Sequence, residues 1–195
     1  MSKDFWFVIE GDNGAGKDTL ADRLIGEGWL LTTRIHEVVA KKEQASRLSG
    51  LDRINAFMTY NKMCGELILA SPAPSFLVRY WPSTVAAAFA DAIFEWEEID
   101  SLIANILHEL PAPNLILYLE CGLDTRRNRV HERGPISGSI DDLSQERDRR
   151  YREAIGRLAN YQGVGNWKNL DTSKLSIEQV YMAIRSLLPK KQVLS

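Results

Sequence analysis

Cysteine is scarce in this sequence. Its 195 residues contain two, Cys64 and Cys121, far apart. Two distant cysteines give no disulfide framework and no paired zinc spacing, and they suit a reducing compartment, so a cytoplasmic location is expected. Long apolar runs are missing too. The longest, Thr84 to Phe94, is broken by Asp91 and is too short to span a bilayer. The start, Met1 to Asp4, is charged and lacks the apolar core and small-residue cleavage site of a signal peptide. No internal repeat and no Pro- or Ser-rich linker occurs. Net charge is almost absent, -2 from 24 basic and 26 acidic side chains. With no long basic stripe, tight binding of duplex nucleic acid is not expected.

What is present suits one folded unit over residues 1–195. A hydrophobic share of 45% and a charged share of 26% can build a core and argue against disorder. The charges are unevenly placed. No Lys or Arg lies between Arg79 and Arg126, a stretch that holds eight acids, and nine arginines then fall between 126 and 157. Such asymmetry marks a site.

Phe5 to Ile9 is an apolar run of the kind that forms a buried parallel strand. A helix over Asp18–Gly26 and a strand over Trp29–Thr33 follow. Residues 35–70 read as two helices split near Ser49-Gly50, and Ser71 to Pro74 is a break. Ser75–Val78 is a third strand, and 84–110 is helical in two pieces. After Pro111 to Pro113, Leu115–Leu119 is a fourth strand. Helices over 123–132 and 143–161, a weak strand over Asn166–Leu170 and a helix capped by Ser176 complete the chain. Strands alternating with helices predict an α/β, doubly wound, five-stranded parallel sheet flanked by helices. Ligands of such sheets bind at the carboxyl ends of the strands.

The strongest motif follows the first strand. Gly11, Asp12, Asn13, Gly14, Ala15, Gly16, Lys17, Asp18 and Thr19 form G-x4-G-K with a strand before and a helix after. Glycines let main-chain N–H groups turn onto phosphate oxygens, the helix N-terminus adds partial positive charge, and Lys17 reaches the β/γ-phosphates. The nucleotide this implies is ATP with Mg²⁺. Asp18 stands where Ser or Thr normally offers a hydroxyl to Mg²⁺. It either ligates the metal or only favours the helix N-terminus, with Thr19 toward the α-phosphate. No N-K-x-D base-reading motif occurs, and the fourth strand ends in Glu120-Cys121 without the Asp-Glu of ATPase motors.

The chain resembles the thymidylate kinase family of P-loop nucleoside monophosphate kinases. The resemblance rests on Phe7 to Gly11 with Gly14 to Lys17, on Thr32-Thr33-Arg34, on Arg79-Tyr80 with Ser83-Thr84, on Leu115 to Leu119 with Arg126 to Gly134, and on Asn169 to Ser173 with Ser176 to Val180. It implies phosphoryl transfer from ATP to a nucleotide acceptor, by positioning and charge neutralisation. In that scheme Lys17 and Mg²⁺ hold the donor, and Arg79 reaches the transferring group or the acceptor. A short Arg-rich lid, approximately 130–145, would bring Arg129 and Arg133 over the ATP. It also makes a homodimer a natural expectation. Arg126, Arg127, Arg147, Arg149, Arg150 and Arg152 read as a solvated helix surface paired with nearby acids.

Several positions depart from that family, mostly on the acceptor side. Val78 replaces an Asp before Arg79, and Asn13 replaces a carboxylate toward the sugar. Phe57 is the candidate to stack on a base. The family's phosphate-holding Arg falls on Tyr60 or Asn61, with Lys62 or Arg34 to substitute for it. A second lid Arg falls in Asp141-Asp142. The expected acceptor is therefore a (deoxy)nucleoside monophosphate. Two alternatives stay open: a hydroxyl on a modified thymidine-like nucleotide or modified DNA, and a nucleotide-binding module without catalysis. His36, His108 and His131 have no metal spacing, Trp96 and Trp167 read as packing residues, Trp81 is the one tryptophan to watch as a base-stacking platform because it follows Arg79 at the carboxyl edge of the sheet, and Glu95 to Glu98 reads as a solvated face.

Overall fold

The computed structural model describes residues 5–132 and 144–189. The expected lid positions 133–143, with Arg133, Asp141 and Asp142, lie outside the described residues. Strand β1 (Trp6–Gly11) has six buried residues and forms the centre of the sheet. It pairs in parallel with β3 (Ser75–Val78) on one side and β4 (Leu115–Glu120) on the other. Two-residue β2 (Leu30–Leu31) adds outside β3, and β5 (Trp167–Asp171) adds outside β4. The order is β2-β3-β1-β4-β5, parallel throughout.

The helices are α1 (Lys17–Gly26), α2 (His36–Ser46), α3 (Gly50–Leu69), α4 (Trp81–Ala90), α5 (Trp96–Glu109), α6 (Leu123–Glu132), α7 (Gln145–Ala159) and α8 (Ile177–Leu187). The central strands are apolar at successive positions because both faces are covered. Trp6, Val8, Leu77, Ile116 and Tyr118 pack against α3, α4, α5 and α7. Phe7, Ile9, Phe76, Leu117 and Leu119 pack against α1 and α8. Trp81 lies in the first of these cores, 2% exposed. Among the described residues no helix is long and apolar enough to cross a membrane.

Three expectations are corrected. The second strand is shorter than Trp29–Thr33. It is an edge strand bonded to β3 alone, and after Leu31 the chain turns into a 3-10 turn over Thr32–Arg34. Helix α4 begins at Trp81, before Thr84, because extended Tyr80 precedes it and Pro82 fits its first turn. Glu95 and Glu98 do more than face solvent. They form a reciprocal cap at the start of α5, with Glu98 Oε2 accepting from Glu95 N at 2.9 Å.

Candidate nucleotide site

The phosphate loop leaves β1 at Gly11, whose φ is 144°. A Cβ there would sit 2.4 Å from the Leu119 carbonyl oxygen, so the β4 backbone alongside admits only glycine. Gly14 and Gly16 also have positive φ, 82° and 93°. Gly16 is the N-cap of α1 and has no side chain to cap the helix, so the first N–H groups are left for a ligand. Lys17 opens α1 and is buried. Its ammonium donates to the carbonyl oxygens of Gly11 (3.0 Å) and Asp12 (2.6 Å). Burial, with the Arg79 charge nearby, holds its pKa well below the ordinary lysine value. Asp18 is exposed in the first turn of α1 and Thr19 is half-buried beside it.

Asp12 turns its side chain away from the loop's open side. Tyr118 Oη donates to one oxygen at 2.6 Å, and Cys121 N (3.0 Å) and Arg152 (2.6 Å) donate to the other. Arg126 Nε lies 3.8 Å from that oxygen. The Asp12 N–H is also committed, to the Leu119 carbonyl at 3.1 Å. Asp148 closes the group, bonded to Arg126 and to Arg152 Nε at 3.0 Å. Two carboxylates thus balance two guanidinium groups beneath the loop. The reading of the 126–152 arginines as solvent-facing needs correction here. Arg126 is 2% exposed, and Arg150 donates to the Phe89 carbonyl and lies over its ring. Arg149 is exposed and paired with Glu146, as expected.

Arg79 leaves β3 in a left-handed conformation, φ 66°, held by its N–H to the Ile9 carbonyl. That turn sends the guanidinium across the sheet edge to Asn13 Oδ1 (2.5 Å), Ser83 Oγ (3.2 Å) and Tyr151 Oη (3.4 Å). Beside it lies Glu10, fully buried, accepting from Tyr80 N at 2.8 Å and from Ser83 Oγ. Burial raises its carboxyl pKa despite the opposing Arg79 charge. Glu10 carried no role in the sequence reading. The available signal was an ionisable residue at the end of an otherwise apolar buried strand.

A cleft of about 270 Å³ opens on the Asp12–Asn13 side of the loop. Asn13, Phe57, Tyr60 and Arg79, four of the expected acceptor residues, line it. Arg34 and Lys62 do not. Arg34 pairs with Asp22, and Lys62 lies 3.9 Å from Glu109. For Lys62 the reason is helical phase: Arg53, Ile54, Phe57, Tyr60 and Asn61 share one face of α3, and Lys62 falls outside it. Arg53, one turn before Phe57 and 5.7 Å from its ring centroid, brings the positive charge instead. Buried Asn61 donates to Thr84 Oγ1 at 3.1 Å in the cleft wall. Val78, where the family has an acid, is half-buried in the same wall.

A second cleft, about 240 Å³, opens on the Ala15–Gly16 side of the loop. Arg129 crosses its base, donating to the carbonyls of Gly14 (3.2 Å) and Thr172 (3.0 Å). Leu175, Ile177 and Val180, from the start of α8 and the turn before it, form an apolar wall. Among the described residues no group of three or more His, Cys, Asp or Glu could by itself hold a metal.

No family model matches the chain. In sequence it is similar to cytidylate kinase of Onion yellows phytoplasma (strain OY-M), 24% identical over 218 residues, covering 97% of this chain and 98% of that one. It is similar also to adenylate kinase isoenzyme 1 of Gallus gallus, 26% identical over 198 residues, covering 94% and 93%. In structure it is similar to thymidylate kinase from Candida albicans, with a TM-score of 0.70 and 16% identity over 94% of this chain and 90% of that chain. Deoxyadenosine kinase from M. mycoides gives 0.65 and 15%, over 94% and 98%. The fold is that of the P-loop nucleoside and nucleotide kinases.

Proposed function

We propose that this protein transfers the γ-phosphoryl group of ATP to a (deoxy)nucleoside monophosphate. One observation carries the reading: the phosphate loop stands between two clefts, with Asp12–Asn13 facing one and Ala15–Gly16 facing the other. Donor base and acceptor would then approach the same glycine-lined cradle from opposite sides, as in-line transfer requires. Lys17 would leave the loop carbonyls for the β/γ-phosphates. Arg79, already bonded to Asn13, would meet charge that develops between the two clefts. Arg53 and Phe57 would take the acceptor's phosphate and base, in the place where Lys62 was expected to help. Mg²⁺, held through Asp18 and the phosphates, would neutralise the charge that an exposed carboxylate otherwise brings to that helix end. Arg129 belongs to the donor side.

The test is an ADP-release assay with ATP–Mg²⁺ across nucleoside monophosphates. Turnover with at least one, abolished in Lys17→Ala, is the expected result. No turnover with any of them overturns the reading.

A second reading, transfer to a hydroxyl of a modified thymidine-like nucleotide, has its own observation. A monophosphate oxygen needs no base, whereas a hydroxyl must lose a proton. Asp91, exposed in the wall of the acceptor cleft, is a carboxylate able to take that proton. Chromatography of products from nucleoside and nucleotide acceptors separates the two.

A further inference from the structure

Asp12 is the residue on which the phosphate loop is folded. Its carbonyl oxygen accepts from Ala15 N at 3.2 Å and from the Lys17 ammonium, and its N–H is held by β4. Its carboxylate is wholly buried within a loop built to receive a polyanion. A carboxylate so placed repels a triphosphate unless its charge is balanced, because charges interact strongly where water is excluded. The charge is felt at the cradle. Burial lowers the Lys17 pKa, and Asp12, with Asp18 and Glu10, works against that shift. The balance comes from outside the loop. Arg126 and Arg152 match Asp12 and Asp148 charge for charge. Arg152 is the outward member, its side chain 36% exposed, yet it lines neither of the two clefts. Its Nε is committed to Asp148, and one terminal nitrogen donates both to Asp12 and, at 2.5 Å, to the Cys121 carbonyl. Its place is against Asp12 and not against a nucleotide.

We propose that Arg152 is a positioning residue for ATP: it neutralises the Asp12 carboxylate and holds it beneath the phosphate loop, so that the loop can accept the triphosphate. The inference rests on the donor reading above and adds to it a residue of α7 that touches no nucleotide. Without Arg152, Asp12 and Asp148 share a single guanidinium, that of Arg126. The excess negative charge then stands at the floor of the cradle, where the phosphates bring more of the same sign. Asp12 also loses the partner that ties it to the Cys121 carbonyl, at the end of β4. Arg152 thus acts on ATP through Asp12, and its effect depends on the charge that Asp12 carries.

A double-mutant cycle on ATP–Mg²⁺ affinity decides this without knowledge of the acceptor. Dissociation constants are measured by calorimetry on the full chain, below the unfolding midpoint of every variant. Arg152→Gln should weaken ATP–Mg²⁺ by about tenfold or more. In a chain that already carries Asp12→Asn, there is no charge to balance, and the same change should cost less than about threefold. Equal losses in the two backgrounds, or no loss in either, overturn the inference and leave the donor reading standing. A wild-type chain that binds no ATP–Mg²⁺ removes the donor reading and the inference with it. Arg152→Lys covers the case in which Arg152→Gln does not fold. It keeps the charge and gives up the planar fork, so its affinity should stay within about threefold of wild type. A loss of about tenfold or more in Arg152→Lys counts against the proposal.

Discussion

Asp12 lies in the phosphate loop, yet its carboxylate serves the protein interior. Removing it leaves Arg126 and Arg152 facing each other with only Asp148 to balance them. Asp12→Ala should therefore cost about 3–5 kcal/mol in a denaturant titration, the usual scale for breaking a buried ion pair from one side. Asp12→Asn, which can still accept from Tyr118 and Cys121, should cost less. Glu10 gives a pH-dependent effect. Its folded pKa is raised, so the stability it contributes is complete below the ordinary carboxyl range and is lost as pH rises through the folded value. The stability of wild type relative to Glu10→Gln should therefore fall as pH rises above the ordinary carboxyl value of 4.5. A gap that widens in favour of wild type over that range would refute the assignment. Residue by residue, the loop was legible in the sequence because its spacing is local. The burial of Arg126 and the inward pairing of Arg152 were not, because their partner Asp12 lies more than a hundred positions away in the chain. A charge-rich helix looks the same in sequence whether its acids are neighbours or come from beneath a sheet.

Elements were read more faithfully than their ends. The strands β3 and β4, covered on both faces, appear as short unbroken apolar runs, and α6 was placed at its observed bounds. The second strand was over-extended because edge pairing depends on β3 and not on its own residues. The face of α3 that meets the cleft was legible through Phe57 and Tyr60, whereas the charge was assigned to Lys62 or Arg34 and the α3 cation that lines the cleft is Arg53, nine residues before Lys62. The same helix offers a packing test. A Cβ on Gly65 would meet Tyr80 Oη at 2.7 Å and Pro111 Cδ at 2.9 Å, with Tyr80 buried and unable to yield. Gly65→Ala should lose up to about 2 kcal/mol, overpacking exceeding the gain in helix propensity. Gly156→Ala in α7, where nothing lies within 4 Å of the added carbon, should instead gain up to about 1 kcal/mol. Thermal unfolding of the two variants side by side measures the contrast, and equal shifts would contradict it.

At the scale of the whole molecule, the layered α/β plan was legible because alternation of strand and helix runs the length of the chain. The two-cleft arrangement was not, because it depends on which side of the phosphate loop each helix arrives. The central position of β1 has a further consequence. Trp6 pairs with Ser75 and Phe7 with Leu115, so the first strand made during synthesis has no sheet partner until much later segments emerge. Its run of Trp, Phe, Val and Ile is then an uncovered, sticky edge on the nascent chain. The backbone that gives Gly11 its wall, at Leu119, arrives after β3 has formed. The nucleotide cradle is therefore a late product of folding, and a ribosome stalled short of β4 would hold a chain dependent on chaperones.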